Sequence, residues 1–142
     1  MQHITMDDAL LAAYRHTDYR VRLPRGGRAS IHIDADLPVS LQALTHWQPW
    51  AVITAWNPHS QAQSRENNRR SQHELLSTLR TLPDTQAIHP ACGVGVDGWH
   101  EFSLFVIGLQ APTLDTVANQ YGQNAYVCGH GAAPAYLRLL HD

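Results

Sequence analysis

The chain is poor in charge. Only 15% of its 142 residues are Asp, Glu, Lys or Arg, against a usual share of about a quarter. Twelve acidic and ten basic residues leave a net charge of −2, so the basic excess that non-specific nucleic-acid binding requires is missing and nucleic acid is an unlikely partner class. Cysteine is scarce as well. Cys92 and Cys128 make no disulfide framework, which points to a reducing compartment. No apolar run approaches about 18 residues and no hydrophobic leader core opens the chain, so a cytoplasmic location without membrane contact is expected. Linkers, internal repeats and low-complexity tracts are also wanting. What is present is a 44% share of hydrophobic residues, enough for one buried core. Ten histidines would add ten positive charges on protonation, so charge depends steeply on pH between about 5 and 7.

Periodicity predicts the elements. Thr5, Asp7 and Asp8 mark a helix start, with Leu10, Leu11 and Tyr14 on one face. Tyr19, Val21 and Leu23 alternate with arginines, Gly26-Gly27 turns the chain, and Ile31 and Ile33 alternate again, as in a hairpin. Pro38 opens a short helix burying Leu37, Leu41 and Leu44. The continuous apolar runs 50–56 and 102–109 read as central strands. Between them come a long helix over 61–82 and a strand over 87–96 that carries Pro90, Gly93 and Gly95. A helix over 113–121, a strand over 124–128 and a last strand over 135–140 follow.

From residue 50 to residue 128 the order is β-α-β-β-α-β. The expected class is therefore α+β, with a ferredoxin-like antiparallel core of strand order 4-1-3-2 and an N-terminal helix and hairpin. One domain of residues 1–142 is expected, with the N-terminal helix, hairpin and short helix over 1–48, the core over 49–129 and a C-terminal strand over 130–142. The Pro- and Gly-bearing strand falls on an edge, where a missing N–H is tolerated.

That winding brings four distant segments to one end of the sheet: 54–58, the start of the long helix, 98–101 and 121–124. The long helix carries a stripe that is apolar at Leu75, Leu76 and Leu79 and polar at Ser71, Gln72, Asn67, Asn68 and Ser64. A buried polar face must find hydrogen-bond partners, in the protein or in a ligand.

The strings Thr54-Ala55-Trp56-Asn57-Pro58, Ser64 to Arg70 (SRENNRR), Gly98-Trp99-His100-Glu101 with Ser103, and Tyr121 to Ala125 (YGQNA) resemble a bacterial family of domains of unknown function, number 3293 in that series. The resemblance runs over most of the chain from Tyr19 onward. It implies no activity. It does mark Asn57, Ser64, Asn67, Arg70, Glu101, Gln123 and Asn124 as the positions matching the family's polar motif.

The leading expectation is a cleft for a small polar or anionic molecule. Thr54, Asn57, Ser64, Asn67, Gln123 and Asn124 would hydrogen-bond it, Arg70 would meet an anionic group, and Trp56 and Trp99 would wall it. The bland reading of the same residues is a structural network pinning strand ends. Glu101 is the candidate catalytic acid or base, although an ion pair with Arg70, or with another arginine at the same end of the sheet, is the preferred account of it. No cofactor is implied. His89, Cys92, Cys128 and His130 have zinc-ligand chemistry, but they fall on strands expected at opposite edges, so no metal site is expected. Two alternatives are a protein-contact module, including a homodimer through a sheet edge, and a single-stranded RNA binder using Arg20, Arg22, Arg25, Arg28, Arg65, Arg69 and Arg70.

Overall fold

The computed structural model describes residues 7–140. Helix α1 (Asp8–Arg15) leads into the hairpin β1 (Asp18–Arg22) and β2 (Arg28–Ile31), and then into the short helix α2 (Val39–Thr45). Strand β3 (Pro49–Ile53), helix α3 (Arg65–Thr81), and strands β4 (Ala87–Val94) and β5 (His100–Ile107) follow. Helix α4 (Ala111–Gln120), strand β6 (Ala125–His130) and strand β7 (Tyr136–Leu139) complete the fold. Asp7 caps α1 by accepting a hydrogen bond from the Leu10 amide at 2.9 Å; Thr5, the other expected start signal, lies outside the described residues.

The expected ferredoxin-like core is corrected by the sheet. It has seven strands, all antiparallel, in the order β2-β1-β4-β5-β3-β6-β7, and it curls into a half barrel. The four strands on which the ferredoxin-like reading was built lie together in its middle, but neither flank of that quartet is an edge. On one side β1 pairs with β4, on the other β7 pairs with β6. The expectation that β4 is an edge strand fails for a local reason. Asp18 to Val21 pair with Val94 to Ala91, and the pairing stops one residue short of Pro90, which has no N–H to offer. The proline limits the length of the pairing without forbidding it.

Two cores occupy the two faces. On the convex face, Leu75 and Leu79 of α3 and Leu114, Val117 and Ala118 of α4 bury Ala51, Ile53, Leu104, Val106 and Tyr126. On the concave face, Trp50 stacks against Phe105 with ring centroids 5.6 Å apart, and Val21, Ile31, Leu37 and Leu41 complete the packing. Strand alternation explains the split, since even-numbered residues of β3 and odd-numbered residues of β5 point inward. The segment after β2 crosses the open side, where Asp34 and Ala35 exchange backbone hydrogen bonds with Ala135 at 2.8 and 3.0 Å. It carries α2 to the end of the half barrel where β3 begins, and there Trp47 packs on Gly131, whose φ of +61° keeps that position free of a side chain. Among the described residues, α1 lies over the opposite end, where β3 finishes.

Candidate functional site

The polar stripe on α3 does form a network. Helix α3 begins at Arg65, later than expected, because Ser64 caps it by accepting from the Asn67 amide at 3.1 Å. Asn68 is the fully buried member of the stripe. Its side-chain oxygen accepts from the Asn57 amide (2.8 Å) and from Gln63 Nε2 (2.6 Å), and its Nδ2 donates to Asn57 Oδ1 at 2.8 Å. One turn on, Gln72 Oε1 accepts from the Ala55 amide at 2.9 Å. Thr54 Oγ1 donates to the Phe102 carbonyl at 2.6 Å, and Gln123 Nε2 donates to the Trp56 and Tyr121 carbonyls. Asn124 donates to Ser60 Oγ at 2.9 Å. Asn57 sits in the left-handed region (φ 45°, ψ 67°), which Asn tolerates better than most residues. These bonds tie β3 to α3, β5 and the start of β6, replacing backbone pairing that ends at Ile53.

Asn67 and Arg70 are exposed, and Arg70 lies 3.9 Å from Glu66 in an i,i+4 pair, which contributes little at such exposure. The anticipated Arg70–Glu101 ion pair is not made. His89 and Cys92 on β4 are separated from Cys128 and His130 on β6 by two intervening strands, about 14 Å at ordinary strand spacing.

The opening lies on the other face of the sheet. A cavity of about 550 Å³ sits under α1 at the end of the concave face. Its floor is made of small side chains, Gly93, Ser103 and Ala125, together with Val52 and Val127. Ala9, Ala12 and Ala13 of α1 form the roof, and Thr54, Trp56, Asn57, Trp99, Glu101 and Gln123 all reach its wall. Ser64, Asn67, Arg70 and Asn124 do not. Helix α1 is fastened over the opening by Thr17 Oγ1, which donates to the Ala13 carbonyl at 2.5 Å, and by the Tyr19 hydroxyl, which donates to the Tyr14 carbonyl at 3.0 Å.

Glu101 is the main titratable group of this cavity. Tyr19, Gly93 and Glu101 lie in one row across β1, β4 and β5, and the missing side chain at Gly93 opens the space between the other two. Among the described residues no hydrogen bond or ion pair reaches the Glu101 carboxyl. Protein surrounds it on most sides, and this desolvation pushes its pKa from 4.5 to about 8. Burial, with the Glu101 charge as a lesser cause, pushes Tyr14 up to about 12 and raises Tyr19 also. Two residues along β5 on the same face, the Ser103 hydroxyl is buried with no partner, an uncommon state for a buried polar atom.

The profile of the family described as "Protein of unknown function (DUF3293)" matches residues 53–126, just over half of the chain. The chain belongs to this family. The matched span runs from the end of β3 into β6, so it includes Glu101, Ser103 and the whole Asn57–Asn68 network, while α1 and β1 precede it. No curated protein and no solved structure matches the chain, and the family's description assigns no chemistry. Sequence reasoning passed over Ser103, Tyr14 and Tyr19 as site residues. The signal was available in alternation: Ser103 shares a strand face with Glu101, and Tyr19 shares one with Val21.

Proposed function

We propose that this domain binds a small molecule in the cavity beneath α1, with Glu101 and Ser103 as its polar anchors and the surrounding aromatic side chains as its apolar walls. The observation that carries this reading is the buried Ser103 hydroxyl, which has no partner, beside the half-buried Glu101 carboxyl on one face of β5, both opening into about 550 Å³ of space, a size typical of small-molecule pockets. A protein rarely leaves such groups without partners unless something else supplies them. A carboxyl that is neutral at pH 7 can donate a hydrogen bond, and it also has the protonation state a general acid needs. The anionic version of the ligand rested on Arg70, which stands outside the wall. The reading carried forward is a molecule with an apolar body and few polar groups. The Asn57–Asn68 network supports the site from behind by holding the segment after β3 against α3, and Gln123 and Asn124 hold the start of β6 to the same segment.

The test is native mass spectrometry of the purified protein, followed by a thermal-shift screen of metabolites. A ligand that raises the melting temperature of the wild type, and fails to do so for Gly93→Val, is the expected result. The added side chain would project toward Thr17 and Tyr19, whose atoms lie 3.3 and 3.7 Å from a Cβ built there. Equal shifts in both proteins would place the binding elsewhere. Protein contact is the second reading. It draws on edge strand β7, where Tyr136 and Leu139 are 48% and 44% exposed, and it predicts a concentration-dependent dimer in light scattering.

A further inference from the structure

The charge and aromatic content of the cavity select a ligand class, given the binding reading above. The chain has no lysine, so all ten of its basic residues are arginines, and none of these arginines lines the cavity. Among the described residues, exposed His16 is the one basic side chain at the rim. Two carboxylates do line it, Glu101 and, on the turn between β4 and β5, Asp97. Asp97 accepts from the Trp99 amide at 3.1 Å within that turn. Five aromatic residues line the cavity, Tyr14, Tyr19, Trp56, Trp99 and Tyr126, the last turning its hydroxyl away to Asp115 on α4. An anion entering here would meet carboxylates and no guanidinium. A cation would meet carboxylates and ring faces that attract it.

We propose that the ligand is a small organic amine, its ammonium group seated between Glu101 and the tyrosines and its apolar body against Trp56 and Trp99. Ser103 Oγ, buried and without a partner, accepts a further N–H. Because Glu101 holds its proton up to about pH 8 in the empty cavity, binding an ammonium ion displaces that proton to solvent. Among the described residues, the titratable groups that share the cavity with Glu101 are Tyr14 and His16 on α1 and its adjoining turn, Tyr19 on β1, Asp97 on the hairpin turn and Tyr126 on β6. The tyrosines stay neutral throughout this range. Affinity for a cation therefore rises with pH up to about 8 and then levels.

Calorimetric titration of the full chain with phenethylamine, 2-phenylethanol and phenylacetate separates the charge classes on one body shape. The expected order is amine tightest, by about tenfold over the alcohol, with phenylacetate weakest. Amine affinity should climb from pH 6 to pH 8 by up to roughly tenfold per pH unit, and heats in buffers of different ionisation enthalpy should show close to one proton released. The alcohol should show neither effect. Glu101→Gln should abolish the amine's advantage and keep alcohol binding; the wild-type pH series makes the same decision if that variant does not fold. Alcohol or phenylacetate binding as tightly as the amine would overturn the amine assignment and leave the cavity a binding site. No binding by any of the three would also overturn it, while the broader reading falls only if the metabolite screen and the Gly93→Val comparison fail as well.

Discussion

Glu101 shows how one side chain couples site and stability. Its folded pKa of about 8 lies above its ordinary 4.5, so the folded state holds a proton that the unfolded state has lost. Stability therefore falls as pH rises from about 4.5 to 8, at up to about 1.4 kcal/mol per pH unit before solvent screening. Glu101→Gln removes this loss. Urea unfolding should show the variant more stable than wild type at pH 9, by roughly 2–3 kcal/mol, and nearly equal to it at pH 5. A difference independent of pH would mean that the carboxyl is not desolvated. That Glu101 stands next to an apolar strand was legible from its position before Phe102. That it lacks a partner was not, because the sequence offers Arg70 as one and only coordinates show that guanidinium turned to solvent beside Glu66.

Among the elements, α3 and α4 are held by opposite means. Helix α3 docks its first two turns through amides. Replacing Asn68 by Ala leaves the Asn57 amide without its acceptor and removes the partner of Gln63, at a cost of about 2–3 kcal/mol in chemical denaturation. Asn67→Ala, one position away and exposed, should cost less than about 0.5 kcal/mol. The polar stripe was legible from 3.6-residue spacing, but the choice between adjacent asparagines was not. It depends on the helix phase, which Ser64 fixes by capping at Arg65. Helix α4 is tied by charge. Asp115 accepts two hydrogen bonds from Arg138 on β7 and one from the Tyr126 hydroxyl on β6, each 2.7 Å long. The Arg138 guanidinium holds the Asp115 carboxyl below the usual range, so its contribution is present at neutral pH and lost as pH falls through that depressed value. Asp115→Asn should lower stability at pH 7 by about 1–2 kcal/mol, with the loss shrinking in acid.

At the level of the whole molecule, ten histidines and a pI near 6.5 make net charge small in a narrow window. Turbidity should peak close to pH 6.5 and fall on either side as self-repulsion returns. No helix among the described residues is long and apolar enough to cross a membrane. Local patterning was enough to mark most of the strands and helices and to make Pro38 a helix start, because period and turn chemistry act within a few residues, whereas the start of α3 was placed too early and the meeting of 54–58, 98–101 and 121–124 followed from the expected winding of the four central strands. Tertiary structure alone decided that the sheet has seven strands, since β1 and β7 join it through backbone hydrogen bonds that any side chains permit. It also decided that the polar stripe braces the convex face while the cavity opens on the concave one. A face is chosen by the curl of the whole sheet and by α1 closing over Gly93, and no local pattern encodes either.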